Sequence, residues 1–95
     1  MKLSIDQIIE IVSKETGVSS KEIKNPSRRE KIIVARHLSM WACRWYTKYP
    51  MQKIASVHGK KQHGTVINAC ESIDSQSRYN PNIKSLCEKI VNQIK

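Results

Sequence analysis

Apolar residues recur at three- and four-residue intervals through most of the chain, the spacing that lines one face of an α-helix. Ile5, Ile8, Ile9 and Val12 form the first such stripe, which ends near Gly17. Ser4 and Gln7 open it with a capping box, in which side chains satisfy the backbone amides that a first turn leaves free. Ser19 and Glu22 repeat the box before a short second helix through Ile23, which Asn25-Pro26 breaks. A third box, Ser27 with Glu30, predicts a long third helix to about Lys48. Its stripe runs Val34, Leu38, Trp41, Ala42, Trp45 and Tyr49, and Tyr49-Pro50 ends it.

A short fourth helix is expected over about Met51 to Val57, with Ile54, Ala55 and Val57 as core candidates. A basic turn, His58 to Gly64, separates it from a fifth helix over about Gly64 to Arg78, with Val66, Ile67, Cys70 and Ile73 inward. Asn80-Pro81 pairs a favoured cap with a favoured first helical residue. The sixth helix that follows carries Ile83, Leu86, Cys87, Ile90, Val91 and Ile94 on one face. No alternating strand pattern, internal repeat or low-complexity tract interrupts the series. The pattern predicts an all-α bundle of six helices, one domain over residues 1–95.

Composition agrees with that picture. Phe is absent and aromatics are few, which suits a core of Ile, Val and Leu in a helical bundle. Charge adds something new. Of 17 Lys and Arg, 11 lie between Lys21 and Lys61, against only two acids, Glu22 and Glu30, so this segment holds the whole net charge of +9. A cationic footprint so confined is expected of a phosphate-binding surface. Cys43, Cys70 and Cys87 are odd in number and form no Cys-x-x-Cys pair, so buried, reduced thiols are expected. Nothing resembles a signal peptide, and no run approaches the ~20 apolar residues of a bilayer span. A soluble, cytoplasmic protein with no membrane partner is the expectation.

The fourth and fifth helices have the parts of a helix-turn-helix. Ala55 is small enough for close helix packing, Gly59 can take the positive φ of the turn, and Val66 can anchor the second helix to the core. The interval from Ala55 to Val66 predicts an extended turn. Lys60, Lys61, Gln62, His63, Gly64 and Thr65 precede the first buried residue of the fifth helix. Lys61 can donate to guanine acceptors, Gln62 can pair with adenine, and His63 can reach a base edge. The Thr65 hydroxyl and the helix N-terminal amides suit a phosphate.

Other chemistries have less behind them. His58 and His63 flank the turn with no paired cysteines, so no zinc site and no cofactor are expected. Glu71 and Asp74 lie one turn apart on what reads as a polar outer face, and nothing assembles a nucleophile with a base. No enzymatic activity and no small-molecule substrate are expected. Trp41, Trp45 and Tyr49 fall at four-residue spacing and read as core. Exposure of several aromatics here would instead favour single-stranded nucleic acid or RNA as ligand.

The stretch Gly59-Lys60-Lys61-Gln62-His63-Gly64-Thr65-Val66 resembles the Gly-Gly-Arg-Asp-His-Thr-Thr-Val signature of the C-terminal DNA-binding domain of the bacterial replication initiator DnaA. The likeness runs upstream through Val34-Ala35-Arg36-His37 without gaps from Arg28 to Val66, and extends over about Ile5 to Ile94. It implies that Arg28 enters the minor groove and that Arg36 and Arg44 hold backbone phosphate. It also implies that Lys61, Gln62, His63, Gly64 and Thr65 take the places of the signature's base- and phosphate-contacting residues. Three of those places differ. Lys for Arg loses the bidentate fork on guanine, Gln for Asp suits adenine instead of cytosine, and Gly for Thr removes a methyl that would touch thymine.

Double-stranded DNA is therefore the expected partner of a monomeric domain acting in replication initiation or its regulation, with an altered site preference. Arg28, Arg36, Arg44, Lys53, Lys60, Lys61, Gln62, His63, Gly64 and Thr65 are the expected contacts, Lys53 on phosphate. The family's initiators also carry an ATPase module, and this chain has no Gly-x-x-x-x-Gly-Lys phosphate loop. It reads as a stand-alone relative, phage- or mobile-element-borne, or as an excised fragment. The alternative is an adaptor whose basic face meets an acidic protein.

Overall fold

A computed structural model describes residues 3–25 and 28–94. Among the described residues six helices follow one another: α1 Ile5–Thr16, α2 Ser20–Lys24, α3 Glu30–Tyr46, α4 Met51–Val57, α5 Gly64–Tyr79 and α6 Pro81–Ile94. No strand occurs among the described residues. The first two capping boxes form as expected. Gln7 N–H donates to Ser4 Oγ at 3.1 Å while Ser4 N–H donates to Gln7 Oε1 at 2.7 Å. Ser19 and Glu22 make the same reciprocal pair. Gly17 closes α1 at φ 77°, and Asn80 Oδ1 accepts from Asn82 N–H at 3.0 Å to open α6.

Two ends of α3 differ from expectation. Ser27 lies outside the described residues, and the cap position is Arg29, with no side-chain cap bond. The helix stops at Tyr46, two residues before Lys48. Thr47 there turns extended (φ −133°, ψ 169°), and both its amide and its hydroxyl donate to the Cys43 carbonyl. The β-branched threonine thus satisfies the last turn itself.

α3 is the axis of the bundle and packs against all five other helices. It is buried on more than one face: Ile32, Ala35, Leu38, Met40, Ala42 and Cys43 all belong to the core. Around it stand Ile8, Ile9 and Val12 of α1, Ile23 of α2, Ile54 and Ala55 of α4, Val66, Ala69 and Ile73 of α5, and Ile90 of α6. Cys43, Cys70 and Cys87 are free and buried, and burial pushes their thiols up to about 12, 11 and 11.

The single-stripe expectation for α3 fails at its C-terminal end. Trp41 is half-buried and its Nε1–H donates to Asp74 Oδ1 on α5 at 3.1 Å, but Trp45 is 56% exposed and Tyr49 39% exposed. The core-facing direction at that level is taken by Ala42 and Cys43, so Trp45 turns outward, where the Arg44 guanidinium lies 5.3 Å from its ring centre. Tyr49 falls beyond the helix altogether. Ile67, expected inward on α5, is 37% exposed, while its neighbours Val66 and Ala69 are fully buried.

Candidate nucleic-acid interface

The turn between α4 and α5 is built from the end of α4. His58 caps the helix and Gly59 follows at φ 76°. Lys60 N–H donates to Ala55 O at 2.8 Å and Gly59 N–H to Ser56 O at 3.0 Å, the paired bonds of a Schellman closure. Gly59 is needed for a second reason. A Cβ at this position would sit 2.6 Å from the backbone oxygen of Lys24, so the turn rests directly on the end of α2. Ala55 and Val66, both fully buried, hold α4 and α5 to the core on either side.

His58 is part of this support and not of the exposed turn. It is fully buried, with Nδ1 2.7 Å from Ile54 O and Nε2 2.6 Å from Ser39 Oγ. A carbonyl only accepts, so Nδ1 carries the proton and Ser39 donates to Nε2. Burial is the main cause that brings this imidazole down to about 4, with Arg36 and Lys24 adding in the same direction. With both ring nitrogens engaged, His58 has no lone pair to offer a metal.

Beyond Gly59 the chain stays polar until Val66. Gln52 Nε2 donates to Lys61 O at 3.4 Å, and the Thr65 hydroxyl donates to Gln62 O, tying the loop to both flanking helices. Lys61, Gln62 and His63 are exposed; Lys60, Gly64 and Thr65 are half-buried. His63 occupies the cap position of α5, exposed and without a side-chain cap bond. The tip of a 16-residue helix is thus presented with three polar side chains outward, while the amides of Thr65 and Val66 donate back to the Gln62 and His63 carbonyls at 3.2 and 3.0 Å.

A cleft of about 400 Å³ joins this tip to the start of α3. Arg28, Arg36, Lys60 and Thr65 line it, with Ile33, His37, Met40 and Asn68. Four of the ten expected contacts are therefore brought to one cavity. The other six do not line it: Lys61, Gln62, His63 and Gly64 lie at the helix tip outside the lining, Arg44 is half-buried beside Trp45, and Lys53 is exposed on α4.

Arg36 is placed differently from a surface phosphate ligand. Only 3% of it is exposed, its Nε donates to Ile23 O at 3.2 Å and its Nη2 to Asn25 O. The guanidinium braces the end of α2 against α3 by donating to carbonyls that the closing turn of a helix leaves without an intrahelical partner. His37 and Asn68 were not among the expected contacts. Their signal was present: Ile33, His37 and Met40 follow helical spacing on α3, and Asn68 sits one turn after Thr65 on α5.

No helix among the described residues is long and apolar enough to cross a membrane. Known proteins share this arrangement of sequence. The family described as bacterial dnaA protein helix-turn-helix matches residues 5–73. A chromosomal replication initiator protein DnaA of Picosynechococcus sp. is 34% identical over 89 residues, 94% of this chain and 20% of the relative. That of Thermotoga sp. is 33% identical over 91 residues, 95% of this chain and 20% of the relative, and that of Wolinella succinogenes 32% identical over 93, 98% and 21%. The chain spans about a fifth of the length of these curated relatives. With a match over most of its length, the chain belongs to the bacterial DnaA helix-turn-helix family.

Proposed function

We propose that the chain is a non-catalytic, sequence-reading domain for double-stranded DNA, acting as a monomer in replication initiation or its regulation. The observation that carries the reading is the convergence of Arg28, Lys60 and Thr65 on one cleft beside the exposed tip Lys61-Gln62-His63. Two cations at the cleft, Arg28 and Lys60, suit backbone phosphate, while the tip is free to meet base edges in the major groove. Arg28, on the segment leading into α3, is the residue that reaches the minor groove. Lys53 and Arg44 add cationic potential at the margins, and Arg36 acts as a brace that sets the α2 end in place. Gly64 leaves the position beside His63 without a side chain, which widens the range of bases tolerated there.

The test is binding to duplex of random sequence over a salt series. About 5 to 7 phosphate contacts predict that log K falls against log[salt] with a slope of roughly −4 to −6. Binding that ignores salt, or no binding to duplex at all, would contradict the reading and favour an acidic protein partner. A second reading is favoured by one observation, the exposure of Trp45, Tyr46 and Tyr49 beside Arg44. Such rings can stack on the bases of a single strand. Tighter binding of an oligothymidylate than of duplex, with quenching of tryptophan fluorescence, would select it.

A further inference from the structure

The inner wall of the cleft carries a titratable group that phosphate binding by Arg28, Lys60 and Thr65 leaves unused. His37 is half-buried there, on α3. The charged groups facing it are all cations: Arg36 from α3, Arg28 from the segment before it, and Lys60 from the α4–α5 turn. The remaining wall is Ile33, Met40, Thr65 and Asn68, and none of these lining residues is acidic. An imidazole so placed has no counter-ion until an anion arrives. A phosphate held between Arg28 and Lys60 would be that anion, because it reverses the sign of the field at the ring.

We propose that His37 is a proton-linked phosphate ligand, neutral in the free protein and protonated when a DNA phosphate enters the cleft. The proposal rests on the duplex-binding reading of the same cleft and adds a residue and a regulation to it. Burial first, then Arg36 and Lys60, hold the free imidazole below its ordinary range, so at neutral pH the cleft waits with an uncharged ring. Binding then takes up one proton, and affinity rises as pH falls, by up to about tenfold per pH unit between the free and bound pKa values. The other two histidines lack this setting. His58 is enclosed between Ser39 and the Ile54 carbonyl, and His63 stands exposed at the helix tip, outside the cleft lining.

The experiment measures duplex affinity from pH 6 to pH 8 at fixed salt for the wild type and His37→Gln. Tightening toward pH 6 is expected in the wild type, and a flattened profile in His37→Gln. Histidine ring resonances of the unmodified protein give a reading that needs no variant. With saturating duplex the His37 titration should move upward from its lowered position in the free protein. A wild-type pH slope retained by His37→Gln, or a His37 titration unmoved by duplex, would overturn the proposal while leaving duplex binding intact. Failure to bind duplex at every pH would overturn the duplex reading, and this proposal with it.

Discussion

Three glycines offer an internal comparison of backbone geometry against steric room, and replacing each by alanine separates the two. Gly17 and Gly59 share nearly the same left-handed φ, 77° and 76°, but their surroundings differ. A Cβ at Gly17 meets nothing within 4 Å, whereas one at Gly59 meets the Lys24 backbone oxygen at 2.6 Å. Gly17→Ala should therefore cost only the left-handed penalty of an L-residue, about 1 kcal/mol. Gly59→Ala adds an overlap with backbone that no rotamer can relieve. Separating the turn from α2 by several tenths of an ångström adds about 1–3 kcal/mol, for a total of about 2–4 kcal/mol. Gly64 has neither a left-handed φ nor a neighbour within 4 Å, so Gly64→Ala should stabilise by about 0.5–1 kcal/mol through the unfolded chain. Urea unfolding followed by circular dichroism reads all three, with the slope m compared to confirm a common unfolded state. Equal losses at Gly17 and Gly59 would refute the close approach of the turn to α2.

Three further outcomes follow from the same geometry. His58 is held down to about 4 in the folded protein against about 6.5 unfolded, so its contribution is fully present above pH 6.5 and lost as pH falls toward 4, about 3 kcal/mol in all. His37 acts in the same direction, so the check is the difference in unfolding free energy between the wild type and His58→Gln across that window; parallel profiles would contradict it. Arg36→Lys keeps the charge but cannot span both the Ile23 and Asn25 carbonyls, and should lower stability by about 1–3 kcal/mol in thermal or urea unfolding; wild-type stability would remove Arg36 from the brace. Lys61→Ala and His63→Ala should each relax sequence preference at a cost of about 1–3 kcal/mol per base contact in competition binding. Equal weakening on every duplex would show that the tip does not read bases.

Local signals carried the fold a long way. Capping boxes at Ser4 and Ser19, the Asn80-Pro81 start and the small-Gly-apolar order of Ala55, Gly59 and Val66 each act through neighbours in sequence, and each is realised in the structure. What escaped depends on the third dimension. A periodicity argument assumes one buried face, but α3 lies among five helices, so Ile32, Ala35 and Met40 are as buried as Leu38 and Ala42, and Trp45 is left outside. His58 looks like part of a basic turn until Ser39, 19 residues away, supplies its second hydrogen bond. Arg36 looks like one more cation until the end of α2 folds back onto it. For the candidate site, the charge map and the polar tip pointed to Lys60 through Thr65 and the family resemblance to Arg28, while the helical spacing that aligns His37 and Asn68 with these residues gained meaning only with the cleft between α3 and α5.

The central claim is that the start of α3 and the tip of α5 meet one duplex together. Titration of the isotope-labelled protein with a short duplex, followed through its backbone amide resonances, tests it directly. The account predicts that amides of residues 28–37 and of residues 60–68 shift with a single common affinity and saturate at one protein per site. Shifts confined to one of the two segments, or two segments saturating at different duplex concentrations, would contradict it.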